Sequence, residues 1–513
     1  MTFSTAAEFD QAYKSANRAF AAGTTKNKEW RRRQLKRAWW MIEDNKKRIC
    51  DALYTDLHKH YQEAYTGDCG TVQADALRTI AKLDEWTKDI KPERSDPLNF
   101  LGGATIRKEP LGVTLIIGAW NFPITLLLQP MLAAIAAGCA MILKPSDVAS
   151  ATQDVLMDII PKYMDRDAIR CVSAGAQEMS YILEHRFDHI FYTGSPNVAK
   201  IIHAAAAKHL TPVTLELGGQ CPAIVAESAN LDLTAKHIAV TKFMNAGQIC
   251  LNVNHVLVAP GLRDRLVAEL IKYFDTFAGG KAQNPDYYTH IINERNFDRL
   301  DTLLKQTSGK IVYGGERNRE TRYFAPTIVT GVKAGDSLLS EELFGPILPI
   351  IDADFDTAIS TTRAGEHPLA IYAFTSKAAD KSRILNETQS GGVTFNDCGL
   401  HIAARDVPFG GVGNSGTGYY HGPYGILTFS HLRTYINALP WWMEGVITAR
   451  YPPYSVEKAH KMVPAAKPTF DREGNDLTSS RSKWVLSIGG LALSALLATR
   501  WDQVIALGSQ LLN

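Results

Sequence analysis

The sequence lacks the cysteine spacing that builds a disulfide framework or a zinc site. Its seven cysteines are scattered along 513 residues, and no two of them form a CxxC pair. An odd, unpaired set of this kind is typical of a reducing compartment. We therefore expect no structural metal, and an arbitrary cysteine here is first interpreted as a small buried hydrophobe.

The chain also lacks an excess of charge of either sign. Its 55 lysines and arginines nearly balance 53 aspartates and glutamates, which leaves a net charge of +2. The basic cluster between Arg31 and Arg37 alternates with apolar residues at helical spacing, so it predicts the solvated face of a helix. Without a global positive field, we expect no nucleic-acid partner.

Two targeting and binding signatures are missing as well. The N-terminal stretch MTFSTAAEFDQAYKS contains Glu8 and Asp10 and no apolar run, so no signal peptide is expected. The letters GVGNSG at residues 411–416 match GxGxxG, but they follow VPFG rather than a strand. That context predicts a tight turn, not a dinucleotide-binding fingerprint.

What the chain does contain is a regular alternation of short apolar segments and helices. Residues 7–90 are predicted to be helical, and strands follow near 113–119, 139–144, 170–174, 187–194 and 213–217. This pattern predicts a mostly parallel, doubly wound sheet that binds ligands at the carboxyl ends of its strands. A second alternation after Glu216 predicts another α/β domain, with helices near 231–246 and 262–277 and strands near 254–259, 347–351 and 370–375.

The stretch FMNAGQICLNVNHV, residues 243–256, places Cys250 among small and amide residues. A core thiol normally has aliphatic neighbours on both sides. Here Asn245, Gly247 and Asn252 are interpreted as leaving room for another molecule to approach. Two interpretations are open, a buried structural thiol or a nucleophile.

Four further segments carry polar residues where a buried strand ends or a turn begins. GAWNFP places Asn121 just past one strand, and LKPSD places Lys144 at the end of the next. LELGG offers Glu216 before two glycines that allow close approach to the backbone, and EELFGP supplies Glu342 and Phe344. Each alone is compatible with a turn residue or an ion-pair partner.

Together these segments resemble the aldehyde dehydrogenase superfamily over about residues 5–445. The resemblance is closest to its class 3, fatty aldehyde dehydrogenase branch, because PFGGVGNSGTGYYHGPYGILTFSH at residues 408–431 is similar to that branch's C-terminal block. It implies an α/β fold with two doubly wound domains, an oligomerisation arm and a C-terminal hydrophobic helix. It also implies a homodimer that oxidises aldehydes, with long-chain fatty aldehydes expected, using NAD or alternatively NADP.

The resemblance implies a division of the chain into five parts. A dinucleotide-binding domain is expected over residues 1–212, with an arm near 90–110, and a catalytic domain over 213–400. A return to the first domain and an oligomerisation segment, a linker and a membrane-anchoring tail are expected over 401–450, 451–483 and 484–513.

The family's catalytic roles fall on three residues. Cys250 is the implied nucleophile, because a thiolate forms the adduct from which hydride leaves and the thioester that follows. The Asn121 amide and the Cys250 backbone N–H are the implied oxyanion donors. Glu216 is the implied general base for hydrolysis of the thioester.

Cofactor roles carry over in the same way. Lys144 and Glu342 match residues that hydrogen-bond the two riboses. Gly194 and Ser195 open a helix whose positive end favours the pyrophosphate. Three more residues complete the expected cofactor site: Trp120 and Phe344 bound it, and Asp147 disfavours a 2′-phosphate and so favours NAD over NADP.

The chain departs from the class 3 pattern beside the nucleophile. Ile249 stands where threonine is usual, and LNVNH follows in place of a different sequence. These departures leave the substrate open, so an aromatic or medium-chain aldehyde dehydrogenase is an alternative. Three further functions stay open: transfer of the acyl group to CoA, a thiol esterase and a membrane-tethered inactive scaffold.

The C-terminal segment is apolar. The chain has no charge from Trp484 to Thr499, and the run 485–499 spans about 22 Å as a helix, against about 30 Å for a bilayer core. Lys483 and Arg500 can snorkel to the interfaces. We expect a tail anchor with the catalytic domain in the cytosol, and the endoplasmic reticulum as the membrane. Mitochondrial outer, peroxisomal and lipid-droplet membranes are alternatives, and so are an in-plane helix and a core helix.

Overall fold

The structure is a computed structural model that describes residues 3–93, 99, 101–279, 286–462 and 468–476. The chain divides into two compact units, and the boundary falls between Ile436 and Asn437. The first unit holds the two large sheets. The predicted tail over 484–513 lies outside the described residues, and so do residues 463–467 and 477–483 of the predicted linker.

Helices form the N-terminal region, as predicted. Thr5 caps the first of them, because its hydroxyl accepts from the Glu8 N–H at 3.3 Å while the Glu8 carboxylate accepts from the Thr5 N–H at 2.8 Å. The α-helices of the described residues are Ala6–Ala21, Lys28–Leu57, Tyr61–Ala64, Gly70–Trp86, Thr125–Ala137, Ser150–Tyr163, Ala176–Ile182, Pro196–Ala207, Leu231–Phe243, Arg263–Phe277, Glu294–Gln306, Phe355–Ala364, Ala378–Glu387, Leu400–Ala403, Gly422–Thr428 and Val456–Met462.

One part of the predicted solvated face is wrong. Arg33 and Arg37 are exposed, but Arg31 is buried at 8% exposure. Its guanidinium donates to the carbonyls of Thr25 at 2.9 Å and Ala136 at 3.1 Å. The charge is thus buried because helix-end carbonyls accept its N–H groups, which the periodicity of a single helix does not reveal.

The first sheet has six strands and is parallel apart from one edge. Its apolar strands are buried throughout or nearly so, as expected for a sheet covered on both faces. Chain order reverses between Val113–Ile117 and His189–Thr193, which makes this pair the switch point of the sheet. Across the sheet the order is Gly416–Thr417, Val213–Glu216, His189–Thr193, Val113–Ile117, Ala140–Lys144 and Ile169–Cys171.

The edge strand Gly416–Thr417 was not predicted. It pairs antiparallel with Val213–Glu216, so that Gly416 lies opposite Glu216. The GVGNSG segment before it forms a tight 3₁₀ turn at Gly413–Ser415, as predicted. The glycine-rich loop therefore closes the sheet edge beside Glu216.

The second sheet has seven strands and is parallel except for Lys310–Tyr313 at one edge. It lies in the same unit as the first sheet. Across it the order is Gly392–Phe395, Ala370–Phe374, Pro222–Val225, His255–Val258, Ile347–Asp352, Thr327–Thr330 and Lys310–Tyr313. The two α/β alternations of the sequence thus correspond to two separate sheets.

Two smaller antiparallel strand pairs complete the strands that the structure describes. Thr105–Pro110 pairs antiparallel with Ser430–Tyr435, where an arm and an oligomerisation segment were expected, and Arg317–Asn318 pairs with Tyr323–Phe324. Among the helices that the structure describes, none is long and apolar enough to cross a membrane.

Candidate active site

Four neighbouring strands of the first sheet end at one edge, and the predicted residues follow them there. Asn121 comes after Val113–Ile117, Lys144 ends the next strand, and Glu216 ends Val213–Glu216. Gly194 follows His189–Thr193 directly. Because Asn121 and Gly194 follow the two strands of the switch point, this edge has the geometry of a dinucleotide site.

Cys250 and Glu342 come from the second sheet, by the opposite route. The loop of residues 244–254, here named the cysteine loop, enters the strand His255–Val258. The segment of residues 341–346, here named the EELFGP loop, enters the adjacent strand Ile347–Asp352. The amino ends of one pair of strands thus supply the predicted nucleophile and the second predicted ribose contact.

The cysteine loop is held in a strained backbone conformation. Asn245, Ala246 and Gly247 have φ values of +51°, +49° and +68°. Gly247 is required there, because a Cβ would lie 2.4 Å from the Gly345 carbonyl oxygen. Such left-handed residues persist only where surrounding contacts fix them.

The amide side chains of this loop supply those contacts. Asn245 donates to the carbonyls of Asn121 at 3.1 Å and Gln248 at 2.9 Å, and the Gln248 amide donates to the carbonyl of Asn245 at 3.0 Å. Our interpretation that Asn245 and Asn252 leave room for another molecule is therefore wrong. They are buried and bond the loop's own backbone.

Asn121 is positioned by a buried ion pair that the sequence did not reveal. Lys59 and Asp68 are both completely buried, with Nζ 3.1 Å from Oδ2. The Lys59 ammonium also donates to the Asn121 carbonyl oxygen at 2.9 Å. The Asp68 carboxylate accepts the backbone N–H groups of Ile124 at 3.2 Å and Thr125 at 3.3 Å, where the helix after Asn121 begins.

The Asn121 side chain faces the cysteine loop. It is 3% exposed, and its amide donates to the Gln248 carbonyl at 3.1 Å. An amide carries two N–H donors, so one remains for another acceptor. The Asn121 side chain thus contacts Gln248, which stands two residues before Cys250 in the chain.

Cys250 rests as a thiol. Burial raises its pKa above the ordinary value, and the nearby charges of Glu342, Cys221 and Glu216 raise it further. A base must therefore take its proton before it attacks a carbonyl. Because their charges raise the pKa of this thiol, Glu342 and Glu216 both lie close to the predicted nucleophile.

Glu216 is a buried carboxylate to which the described part of the chain offers no hydrogen-bond partner. It is 4% exposed, and among the described residues neither of its oxygens has a hydrogen-bond partner. Burial alone raises its pKa well above the ordinary value. Buried carboxyl groups are normally hydrogen-bonded, so a free one beside a cysteine is typical of a general base.

Glu342 is enclosed differently. Its carboxylate lies against Gly218, where a Cβ would be 2.3 Å from one oxygen. Burial raises its pKa to about 8, and a hydrogen bond from the Gly219 backbone and the charges of Arg299 and Lys242 oppose that rise. Next to it, the Phe344 ring contacts Trp120 edge to face, with centroids 5.2 Å apart.

The remaining predicted cofactor residues lie on the first sheet. The Lys144 ammonium forms an ion pair with Asp147 at 2.5 Å, and Lys144 is 5% exposed. Ser195 caps the helix Pro196–Ala207, accepting from the Val198 N–H at 3.5 Å. This helix start, which follows Gly194, is an anion-binding position at the switch point.

Comparison with known proteins shows which family the chain is similar to. The model of the aldehyde dehydrogenase family matches residues 1–435. A Canis lupus familiaris protein named aldehyde dehydrogenase, dimeric NADP-preferring, is 40% identical over 447 residues, which are 87% of this chain and 98% of that protein. Mus musculus aldehyde dehydrogenase family 3 member A2 is 41% identical over 442 residues, 86% of this chain and 90% of the relative.

A solved structure shares the fold. The substrate-bound state of Staphylococcus aureus AldH superposes with a TM-score of 0.84 at 35% identity, covering 88% of this chain and 98% of that one. With a family match over most of the chain and relatives near 40% identity at almost full length, the resemblance drawn from the motifs is confirmed. The chain belongs to the aldehyde dehydrogenase family.

Proposed function

We propose that this aldehyde dehydrogenase oxidises aldehydes to carboxylic acids through a thioester on Cys250, without transfer to CoA. The observation that carries the proposal is Glu216, a buried carboxylate beside the cysteine that has no partner among the described residues. A CoA-dependent enzyme would not need that base. A redox-inactive scaffold would need none of the three residues Cys250, Glu216 and Asn121.

The chemistry assigned to the chain begins at the thiol. Once deprotonated, the Cys250 sulfur bonds the aldehyde carbon, and the carbonyl oxygen becomes an oxyanion. The second N–H of the Asn121 amide and the Cys250 backbone N–H are proposed to stabilise it. Loss of hydride from the same carbon leaves a thioester, which a water deprotonated by Glu216 hydrolyses to the acid and the free thiol.

The residues present fit a dinucleotide. A bound NAD(P)⁺ supplies the hydride acceptor. Lys144 and Glu342 are proposed to bind its riboses, and the helix start at Ser195 its pyrophosphate. Trp120 and Phe344 are proposed to bound it. The Asp147 carboxylate would repel a 2′-phosphate and so supports NAD over NADP, although its ion pair with Lys144 weakens that repulsion. The Canis relative is named NADP-preferring, so NADP use is the alternative.

Long-chain aldehydes are the proposed substrates. The uncharged segment Val485–Thr499 supports a membrane tether, and a tethered enzyme gains most with substrates that partition into lipid. The proposed membrane is that of the endoplasmic reticulum, with the catalytic domain in the cytosol. An aromatic or medium-chain specificity is the second candidate, because Ile249 in place of the usual threonine leaves the substrate open.

A homodimer is the proposed assembly. The strand Ser430–Tyr435 is exposed along most of its length, and Leu432 and Tyr435 are 47% and 44% exposed. Together with Thr105–Pro110 it forms a two-stranded ribbon whose apolar side chains a second copy could cover.

The test is a spectrophotometric assay of NADH and NADPH formation with aldehydes of increasing chain length and with benzaldehyde. We expect kcat/KM to rise with chain length and NAD⁺ to be the better cofactor. Removal of residues 480–513 should lower efficiency on long aldehydes in vesicles and leave short ones unaffected. Absence of any reduced cofactor with every aldehyde would contradict the proposed reaction.

A further inference from the structure

The EELFGP loop is fixed by side chains, not by a sheet ladder, before it enters its strand. Phe344 has a φ of +46°, a conformation that a bulky residue adopts only under constraint. The residues on either side of it are bonded through their backbone to side chains from other segments. The loop carries Glu342 and Phe344, so whatever fixes it also places the proposed cofactor contacts.

Two asparagines of the cysteine loop supply part of this constraint. The Asn254 side-chain oxygen accepts from the Leu343 N–H at 2.8 Å. The Asn252 amide nitrogen donates to the Gly345 carbonyl at 3.2 Å, and at 2.6 Å to the carbonyl of Gly247. Asn254 and Asn252 therefore hydrogen-bond the backbone immediately before and immediately after Phe344.

Two longer side chains complete the arrangement. The buried Lys242 ammonium donates to the Gly345 carbonyl at 3.2 Å. Arg299 donates to the carbonyls of Glu342 at 3.3 Å and Leu343 at 2.6 Å. Among these groups, only the two asparagines also belong to the cysteine loop, which ends four residues after Cys250.

We propose that Asn252 and Asn254 are positioning residues that hold the cofactor-binding EELFGP loop at a fixed place relative to Cys250. They lie in the LNVNH segment where this chain departs from the class 3 pattern. The inference rests on the proposed function, because it assigns the loop to cofactor binding.

The two asparagines use opposite ends of their amides, and this makes a matched test possible. Asn252 uses its NH₂ group, since both its partners are carbonyl oxygens. Asn254 uses its oxygen, since its partner is an N–H. The same isosteric change to aspartate therefore sets carboxylate oxygens against two carbonyls at position 252, but preserves the acceptor at position 254.

The experiment measures the Kd for NAD⁺ and for NADP⁺ by calorimetry on the full chain, with the thermal midpoint recorded for each variant. Asn252→Asp and Asn254→Leu should each raise Kd about tenfold, because each loses one buried hydrogen bond to the EELFGP loop. Asn254→Asp should raise it less than threefold. Should Asn252→Asp fail to fold, Asn252→Ala removes the donor without adding charge and should raise Kd by a similar factor.

A role in stability alone would lower the midpoint and leave the Kd of the folded protein unchanged, and that result would overturn the inference. Equal losses in Asn254→Asp and Asn254→Leu would overturn it too. Failure of the proposed function looks different, because the wild-type chain would then bind neither NAD⁺ nor NADP⁺.

Discussion

Two buried carboxylates, Asp68 and Glu216, differ in how completely they are paired. Asp68 is fully buried and bonds Lys59 and two backbone N–H groups. Glu216 is almost as buried, at 4% exposure, and has no hydrogen-bond partner among the described residues. Leaving a buried polar group unpaired costs free energy, so the difference separates a carboxylate that organises the fold from one kept available for chemistry.

The largest effect should come from Cys250, the proposed nucleophile. Cys250→Ser should lower dehydrogenase kcat by at least about 10³-fold, because a hydroxyl is a far weaker nucleophile than a thiolate near neutral pH. Initial NADH formation at saturating aldehyde measures this.

A neighbouring cysteine gives the control. The Cys221 thiol lies 3.5 Å from the Cys250 carbonyl and accepts from the Ala370 N–H at 3.4 Å, and a serine hydroxyl can make both contacts. Cys221→Ser should keep activity within a few fold. If it lost as much as Cys250→Ser, the nucleophile would be wrongly assigned.

Next in size is the cost of breaking the paired carboxylate. Asp68→Asn leaves the Lys59 charge buried without its counterion and should lower the free energy of unfolding by about 3–5 kcal/mol. Urea unfolding measures it. The control is Asp51→Asn, which breaks an ion pair with Lys47 whose side chains are 63% and 85% exposed; it should cost less than about 1 kcal/mol. Equal costs would break the distinction drawn here.

The unpaired carboxylate should behave in the opposite way. Burial raises the pKa of Glu216, so the folded protein keeps this proton at pH values where the unfolded chain has lost it. The part of the wild-type unfolding free energy that depends on this proton is therefore lost as pH rises from the ordinary glutamate value of 4.5 towards the pKa in the folded protein.

Glu216→Gln cannot ionise and escapes this loss. Its unfolding free energy should exceed that of the wild type by more at pH 8 than at pH 4, because only the wild type loses stability as pH rises through this range. Urea unfolding at both pH values measures the difference. A variant less stable than the wild type at pH 8 would mean that Glu216 is paired after all.

The contrast also explains what the sequence could predict. Asn121, Lys144 and Glu216 were found because each ends or follows a continuous apolar strand, and parallel strands bring such ends together. Lys59 follows the helix Lys28–Leu57, and Asp68 lies in a π-helical turn and also bonds the start of the helix Thr125–Ala137. No spacing in the sequence marks a contact between these segments. The buried Arg31 was misplaced for the same reason.

The cysteine loop shows a second limit. Its amides were visible in the sequence, but the partners of Asn245 and Asn252 are backbone carbonyls of this loop, of Asn121 and of the EELFGP loop. Because a side chain can bond any backbone group that the fold brings near, residue type alone left open whether Asn245 and Asn252 face a ligand or the chain.

If Glu216 is unpaired among the described residues because it serves the hydrolysis of a thioester on Cys250, Glu216→Gln should stop at the acyl-enzyme. Glu216→Gln is mixed with excess aldehyde and NAD⁺, NADH is followed through the first turnover, and the mass of the intact protein is then measured by mass spectrometry. We predict a burst of about one NADH per active site, almost no further turnover and an acyl group on Cys250. Steady turnover near the wild-type rate with no acyl adduct would contradict it, and so would the absence of any burst.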